Sequence, residues 1–233
     1  MAADYYRNYL KYKSKYLALK SLAKSQTGGA ESAESYVSKL KQLYPVCTHD
    51  RSGSTLAEYT GYSTTYGEMD YDSIEKINTI LNPTRQLKHF IDFGSGRSKL
   101  VLYMATKVDK SIGVELVKSR HDDAVKFKNE LSKRWPDITA KVELVQGDMF
   151  EYLKDVKFDS PVLIWVSNLC FDADLTKKLF DVLAEKLPAK SIICSSRVPQ
   201  VMPNRLVKHE KDGLGVPMSW SKDSSIHIYT ITA

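Results

Sequence analysis

The 233 residues weigh 26.4 kDa, 42% of them hydrophobic and 27% charged, the balance of one catalytic-size domain plus an extension rather than of a disordered chain. A formal charge of +6 and a pI of about 9.0 incline the protein toward polyanions. No apolar run approaches the ~20 residues of a membrane span, the Tyr- and Lys-rich start predicts no secretory signal, and the scattered Cys47, Cys170 and Cys194 argue for a reducing intracellular compartment without structural zinc.

The charge is not spread evenly. Between Asp4 and Lys24 six basic residues face one acidic residue, while Tyr5, Tyr9, Tyr12, Tyr16 and Leu19 recur at offsets of 4, 3, 4 and 3. That period predicts one helix with a tyrosine stripe and lysines around it. Arg7, Lys11, Lys13, Lys15 and Lys20 are candidate nucleic-acid contacts, the plain alternative being a surface helix with solvated lysines. Residues 25–32 read as a linker, Glu34 to Leu43 as a short helix ending before Pro45, and Thr48 to Tyr66 as irregular. Residues 1–65 are thus expected to be a helical, basic N-terminal segment, with the main domain over 66–233.

From residue 70 helices and strands alternate. The pattern predicts a helix over Asp70–Leu81, a strand over His89–Phe93, a glycine turn, a helix over Lys99–Lys107 and a strand over Ser111–Glu115. A long helix, Lys118–Arg134, stops at Pro136, and Lys141–Val145 is a third strand. Pro161–Val166 is a continuous apolar run, as a buried parallel strand requires. A helix over Leu175–Leu187, a strand over Ser191–Ser195 and an alternating tail around Ile226, Ile228 and Ile231 complete the series. Repeated βα units predict an α/β fold with a mostly parallel sheet covered on both faces.

Ligands of such sheets bind at the carboxyl ends of the strands. There the first strand carries Asp92-Phe93-Gly94-Ser95-Gly96, and the second ends in Glu115, 21 residues after Gly94. A carboxylate so placed accepts the ribose hydroxyls of an adenosine cofactor. Dinucleotides and S-adenosylmethionine both use this layout. Asp92 would repel a pyrophosphate but attract a sulfonium and an amino group, so the residues favour a methyltransferase; an ordinary βα turn with an incidental Glu is the plain alternative. Asp148 and Met149 follow the third strand, as adenine contacts or as a helix cap and its neighbour. After the fourth strand, Asn168 and Phe171 fall where a transfer site lies, or are a turn residue and a core aromatic.

Together these residues resemble a known family. Tyr66-Gly67-Glu68, Ile91-Asp92-Phe93-Gly94-Ser95-Gly96, Gly113-Val114-Glu115, Gly147-Asp148, Ser167-Asn168-Leu169-Cys170-Phe171-Asp172 and Met218-Ser219-Trp220 occur in the order of the Dot (disruptor of telomeric silencing) family. These are non-SET histone lysine methyltransferases acting on lysine seventy-nine of histone H3 in nucleosomes. The opening from Tyr9 to Lys20 is similar to openings common in proteins of giant nucleocytoplasmic DNA viruses.

The resemblance implies a class I S-adenosylmethionine-dependent methyltransferase: Rossmann-like, with a seven-stranded, mostly parallel sheet and a helical N-terminal extension. It implies that Tyr66 and Glu68 close over the methionine end of the cofactor, Asp92, Gly94 and Gly96 hold its amino acid portion, Glu115 its ribose, and Asp148 and Met149 its adenine. Ser167, Asn168, Phe171 and Trp220 would line a lysine channel, with no metal. The implied partner is the nucleosome, through histone H3 and through DNA on the basic arm, with no membrane. The implied location is a host nucleus or a viral factory. Arg97 and Ser98 replace small turn residues of the family, Met149 an aromatic residue and Ser167 an Asn. Alternatives are a class I methyltransferase acting on nucleic acid and a decayed chromatin-binding module in which Arg97 blocks the pocket.

Overall fold

The computed structural model describes residues 33–44, 68–84, 86–219 and 221–233. The chain divides into two compact units, the first ending at Lys39 and the second running from Leu40. Helix α1 (33–43) crosses that division. It matches the helix expected from Glu34 to Leu43. The basic arm before residue 33 lies outside the described residues.

The second unit is a sheet covered by helices. In chain order it contains α2 (Tyr71–Leu81), β1 (His89–Phe93), α3 (Lys99–Met104), β2 (Lys110–Glu115), α4 (Lys118–Ser132), α5 (Pro136–Thr139), β3 (Val142–Gln146) and α6 (Met149–Asp155). There follow β4 (Val162–Val166), a 3₁₀ turn (Asn168–Cys170), α7 (Ala173–Lys186), β5 (Ile192–Ser195), β6 (Leu206–Lys208), β7 (Leu214–Met218) and β8 (Ser221–Ile231). The sheet order is β3-β2-β1-β4-β5-β8-β6. The first five strands are parallel, and β8 runs antiparallel to its neighbours. That path is the seven-stranded, mostly parallel sheet implied by the resemblance. An eighth strand, β7, joins only β8.

Strand alternation distributes the core. Ile91 and Phe93 of β1, with Val162, Ile164 and Val166 of β4, pack under Leu179, Phe180 and Leu183 of α7. The intervening residues, Phe90 of β1 and Leu163 and Trp165 of β4, meet Ile74 and Ile77 of α2 and Leu100 of α3 around an apolar void. Asp92 belongs by register to this second face, opposite Gly113 on β2 and Trp165 on β4. A Cβ on Gly113 would come within 2.8 Å of Ser95 Oγ and 3.0 Å of Val101 Cγ2. Glycine there lets the turn after β1 and helix α3 sit close on the sheet.

Three local differences from the expected elements have plain causes. Pro136 stops nothing: α4 has already ended at Ser132, and the proline opens α5 at a position whose amide needs no partner. Helix α6 forms because Asp148 Oδ1 accepts from the amides of Phe150 (2.7 Å) and Glu151 (3.2 Å). Strand β7 escapes a propensity reading because it contains Gly215 and Pro217, tolerated on a strand whose ladder runs along β8, with a single bridge from Met218 to Met69 on the other side.

Candidate active site

At the carboxyl ends of β1 and β4 the α2/α3 side of the sheet opens into a cleft of about 450 Å³, its mouth included. Its floor is Asp92, Gly94 and Ser95. One wall is Lys99 and Leu100 of α3, the other Trp165 and Ser167, with Ile74 of α2 behind. Glu68, Met69 and Met218 complete the rim. The rim is stitched together: Glu68 N donates to Ser219 Oγ and Ser219 N to Glu68 O, each at 2.9 Å.

The sequence builds this geometry in a few steps. Gly94, at φ 81°, turns the chain through the left-handed region that favours glycine. The amides of Gly94 and Ser95 both donate to Val114 O on β2. Gly96 N then donates to Glu115 Oε2 at 2.6 Å, and Val117 N to Oε1 at 2.8 Å. Glu115 is thus fixed beside the turn by backbone donors on both oxygens. Burial pushes its carboxyl up, against those hydrogen bonds and the charge of Arg120.

Asp92 stands in contrast. It is 4% exposed, and its Oδ1 has no hydrogen-bond partner. Burial, with Glu115 nearby, holds its carboxyl well above the usual Asp range. A buried acceptor left open costs free energy unless a ligand completes it. A Cβ built on Gly94 meets nothing within 4 Å, so the space beside Asp92 is clear. The residues therefore fit a ligand with a cationic amino group lying over the turn.

Lys99 lines the same cleft, 4% exposed. Its Nζ donates to Met69 O at 2.7 Å, lies 3.5 Å from Glu68 Oε2 and sits 4.6 Å from the Tyr71 ring centroid. Sequence reasoning missed it, treating it as the start of a helix. The available signal was a lysine directly after a glycine turn, heading the otherwise apolar Lys99-Leu100-Val101-Leu102. Trp165 was also missed, as one letter of a buried strand. Its indole Nε1 donates to Ser167 Oγ at 3.1 Å, the partner a buried tryptophan needs.

The expected residues separate into three groups. Glu68, Asp92, Gly94 and Ser167 line the cleft, and Gly96 and Glu115 adjoin it through their hydrogen bond. Asn168, Phe171 and Met149 do not line it. Asn168 is wholly buried: its amide oxygen accepts from Ser196 N and Arg197 N at 2.9 Å, and its Nδ2 donates to Arg197 O at 3.2 Å. It clamps the loop after β5, with both acceptor sites of its oxygen and one of its two Nδ2 hydrogens committed to backbone. Phe171 and Met149 are half-buried against the core under α7. Asp148 caps α6 through Oδ1. Tyr66, Trp220, Arg7, Lys11, Lys13, Lys15 and Lys20 lie outside the described residues. Among those described, no cluster of His, Cys, Asp and Glu is arranged to hold a metal ion, and no helix is long and apolar enough to cross a membrane.

Comparison with known proteins decides the class. The model of the DOT1 family, described as histone methylation protein DOT1, matches residues 44–215. The chain belongs to the DOT1 family. The solved structures it resembles share the fold. A putative methyltransferase, yhhF from Escherichia coli, superposes with a TM-score of 0.55 at 13% identity over 70% of this chain and 88% of that one. The O-methyltransferase TomG from Streptomyces achromogenes, solved with S-adenosylmethionine, gives 0.54 at 10% identity over 85% and 90%. An O-methyltransferase from Bacillus cereus, in complex with S-adenosylhomocysteine, gives 0.54 at 13% over 84% and 91%. A search of curated protein sequences finds no match. This DOT1-family chain is an S-adenosylmethionine-dependent methyltransferase of class I fold.

Proposed function

We propose that this DOT1-family enzyme methylates a lysine of the histone H3 core, of the lysine seventy-nine type, on nucleosomes. The observation that carries the reading is the family match, whose range, residues 44–215, takes in the cleft-lining residues other than Met218. The bound cofactor supplies a methyl group on an electrophilic sulfonium.

This chain's residues divide the work by chemistry. The open oxygen of Asp92 suits the cofactor's ammonium, and Lys99, already between Glu68 and Met69 O, suits its carboxylate. Glu115 keeps a second lone pair on each oxygen for the ribose hydroxyls. Asp148 and Met149 are assigned to the adenine end, and Gly94 and Gly96 to the backbone that approaches the cofactor. Ser167, fixed by the Trp165 indole, faces the incoming amine. The family resemblance assigns Trp220 to the lysine channel and Tyr66 to the methionine end of the cofactor. Phe171 supports the channel from behind, and Asn168 holds the loop beside it. A lysine has pKa ≈ 10.4 in water, and a dry, apolar wall lowers it toward the neutral nucleophile. Positioning supplies much of the remaining acceleration. Arg7, Lys11, Lys13, Lys15 and Lys20 are assigned to nucleosomal DNA, which places the enzyme at chromatin.

The test offers labelled S-adenosylmethionine with nucleosomes, free histones, DNA and RNA in separate reactions. Label in H3 of nucleosomes is the expected result; label confined to nucleic acid overturns the assignment. Removal of residues 1–24 weakens nucleosome binding and flattens its salt dependence if the arm contacts phosphates. An unchanged salt slope returns the arm to a solvated helix.

A further inference from the structure

The turn after β1 is held from two sides. Gly94, Gly96 and Ser98 have φ of 81°, 55° and 61°, and Ser98 adopts this left-handed backbone despite its side chain, at a steric cost. Something must keep it there. From inside, Ser98 N donates to Ser95 O at 2.8 Å and Ser98 Oγ bonds Ser95 Oγ at 3.2 Å.

From outside, the Tyr44 hydroxyl donates to the carbonyl of Arg97. That carbonyl and the Ser98 amide belong to one peptide group. The plane of the 97–98 peptide is therefore pinned at both ends, by Tyr44 on its oxygen and by Ser95 on its N–H. Ser95 O in turn shares the 95–96 peptide with Gly96 N, which donates to Glu115.

The Arg97 side chain completes the strap. Its guanidinium carbon lies 5.4 Å from the Tyr44 ring centroid and 4.9 Å from that of Phe127 on α4, and the two rings are 4.5 Å apart. Asp123 Oδ2 is 3.7 Å from Nε. Arg97 does not line the cleft, so the residue that departs from the family's small turn residue is not a plug. A small residue would leave the packed Tyr44 and Phe127 rings without the cation that lies against both.

We infer that Tyr44, Arg97 and Phe127 are positioning residues for cofactor binding. They act through the 97–98 peptide to aim the Gly96 amide and the Glu115 carboxylate at the cofactor. The inference rests on the turn's binding S-adenosylmethionine and is independent of the methyl acceptor.

The experiment measures S-adenosylhomocysteine affinity by calorimetry on the full chain at 20 °C, with thermal melting of each ligand-free variant alongside. Tyr44→Phe removes one hydroxyl and is expected to weaken binding by about fivefold. Arg97→Val and Phe127→Leu are expected to weaken it by about tenfold. Phe127→Tyr, which keeps the ring, stays within twofold of wild type. The Tyr44→Phe/Arg97→Val pair loses less than the product of the single effects, because both act on one peptide. Affinity within twofold of wild type in Tyr44→Phe and Arg97→Val overturns the inference, whether or not their melting temperatures fall. If Arg97→Val does not fold, Tyr44→Phe decides alone. Absence of binding by the wild-type chain would instead sink the cofactor site itself.

Discussion

Two polar side chains are buried at neighbouring strand ends, and the structure treats them in opposite ways. Asp92, on β1, leaves Oδ1 without a partner; Asn168, just after β4, accepts two backbone amides and donates to a carbonyl. Both are buried, where an unmet polar group is costly. The satisfied one is finished as structure, since its bonds close the loop after β5. The unsatisfied one is finished only by a ligand. Residue type alone would rank them alike, and the sequence reading assigned both to the chemistry.

The largest effect should follow from filling the space that Asp92 faces. Gly94→Arg puts a side chain where φ is 81° and where the cleft is open, and should weaken S-adenosylhomocysteine binding by at least about 100-fold. Asp92→Ala should do the same by removing the charge. Calorimetry showing wild-type affinity in either variant breaks the site assignment. Asn168→Ala should act on the other side of the comparison. Loss of three buried hydrogen bonds is expected to cost about 2–4 kcal/mol of stability, read as a fall in the denaturation midpoint. Cofactor affinity of the folded variant should change by no more than about threefold. An unaltered midpoint with abolished binding would return Asn168 to the cleft.

What could be read in advance follows from how local each signal is. β1 and its turn were legible because Asp92, Gly94, Gly96 and Glu115 carry their geometry in a short stretch and one strand-to-strand spacing. The parallel strands were legible from apolar runs and helix alternation. β6 and β7 were not: one is three residues long, and the other holds Gly215 and Pro217 and forms only because β8 extends far enough to pair it. At the end of β4 both Ser167 and Asn168 were expected at the channel, and of the two the serine faces the cleft. Which of two consecutive polar residues turns outward depends on where the loop after β5 passes, a contact 29 residues away. Lys99 was hidden for a related reason. Its partners, Glu68 and Met69 O, come from a segment 30 residues earlier. An obstructing Arg97 stood among the alternatives because the sequence does not say that Tyr44 and Phe127 hold it outside the cleft.

The smallest effect sharpens the comparison through pH. In the folded, ligand-free protein the Asp92 carboxyl is held well above the usual Asp range, first by burial and then by Glu115. Between the ordinary value, near 3.9, and that raised value the folded state binds more protons than the unfolded state. Stability therefore falls as pH rises through the window. Asp92→Asn, which cannot ionise, should melt a few degrees above wild type at pH 7, and the gap should close below about pH 4. A cationic ligand favours the ionised carboxylate, so its binding must expel the proton wherever Asp92 still holds one. Affinity for S-adenosylhomocysteine should then rise with pH by up to about tenfold per unit, flattening above the raised value. Calorimetry in buffers of different ionisation enthalpy should register the released proton. Asn168 carries no charge, so Asn168→Ala should keep both the pH slope and the proton release of wild type. Affinity that is flat with pH, with no proton released, would mean that Asp92 is ionised before the ligand arrives, so that burial does not hold a proton on it in the ligand-free cleft.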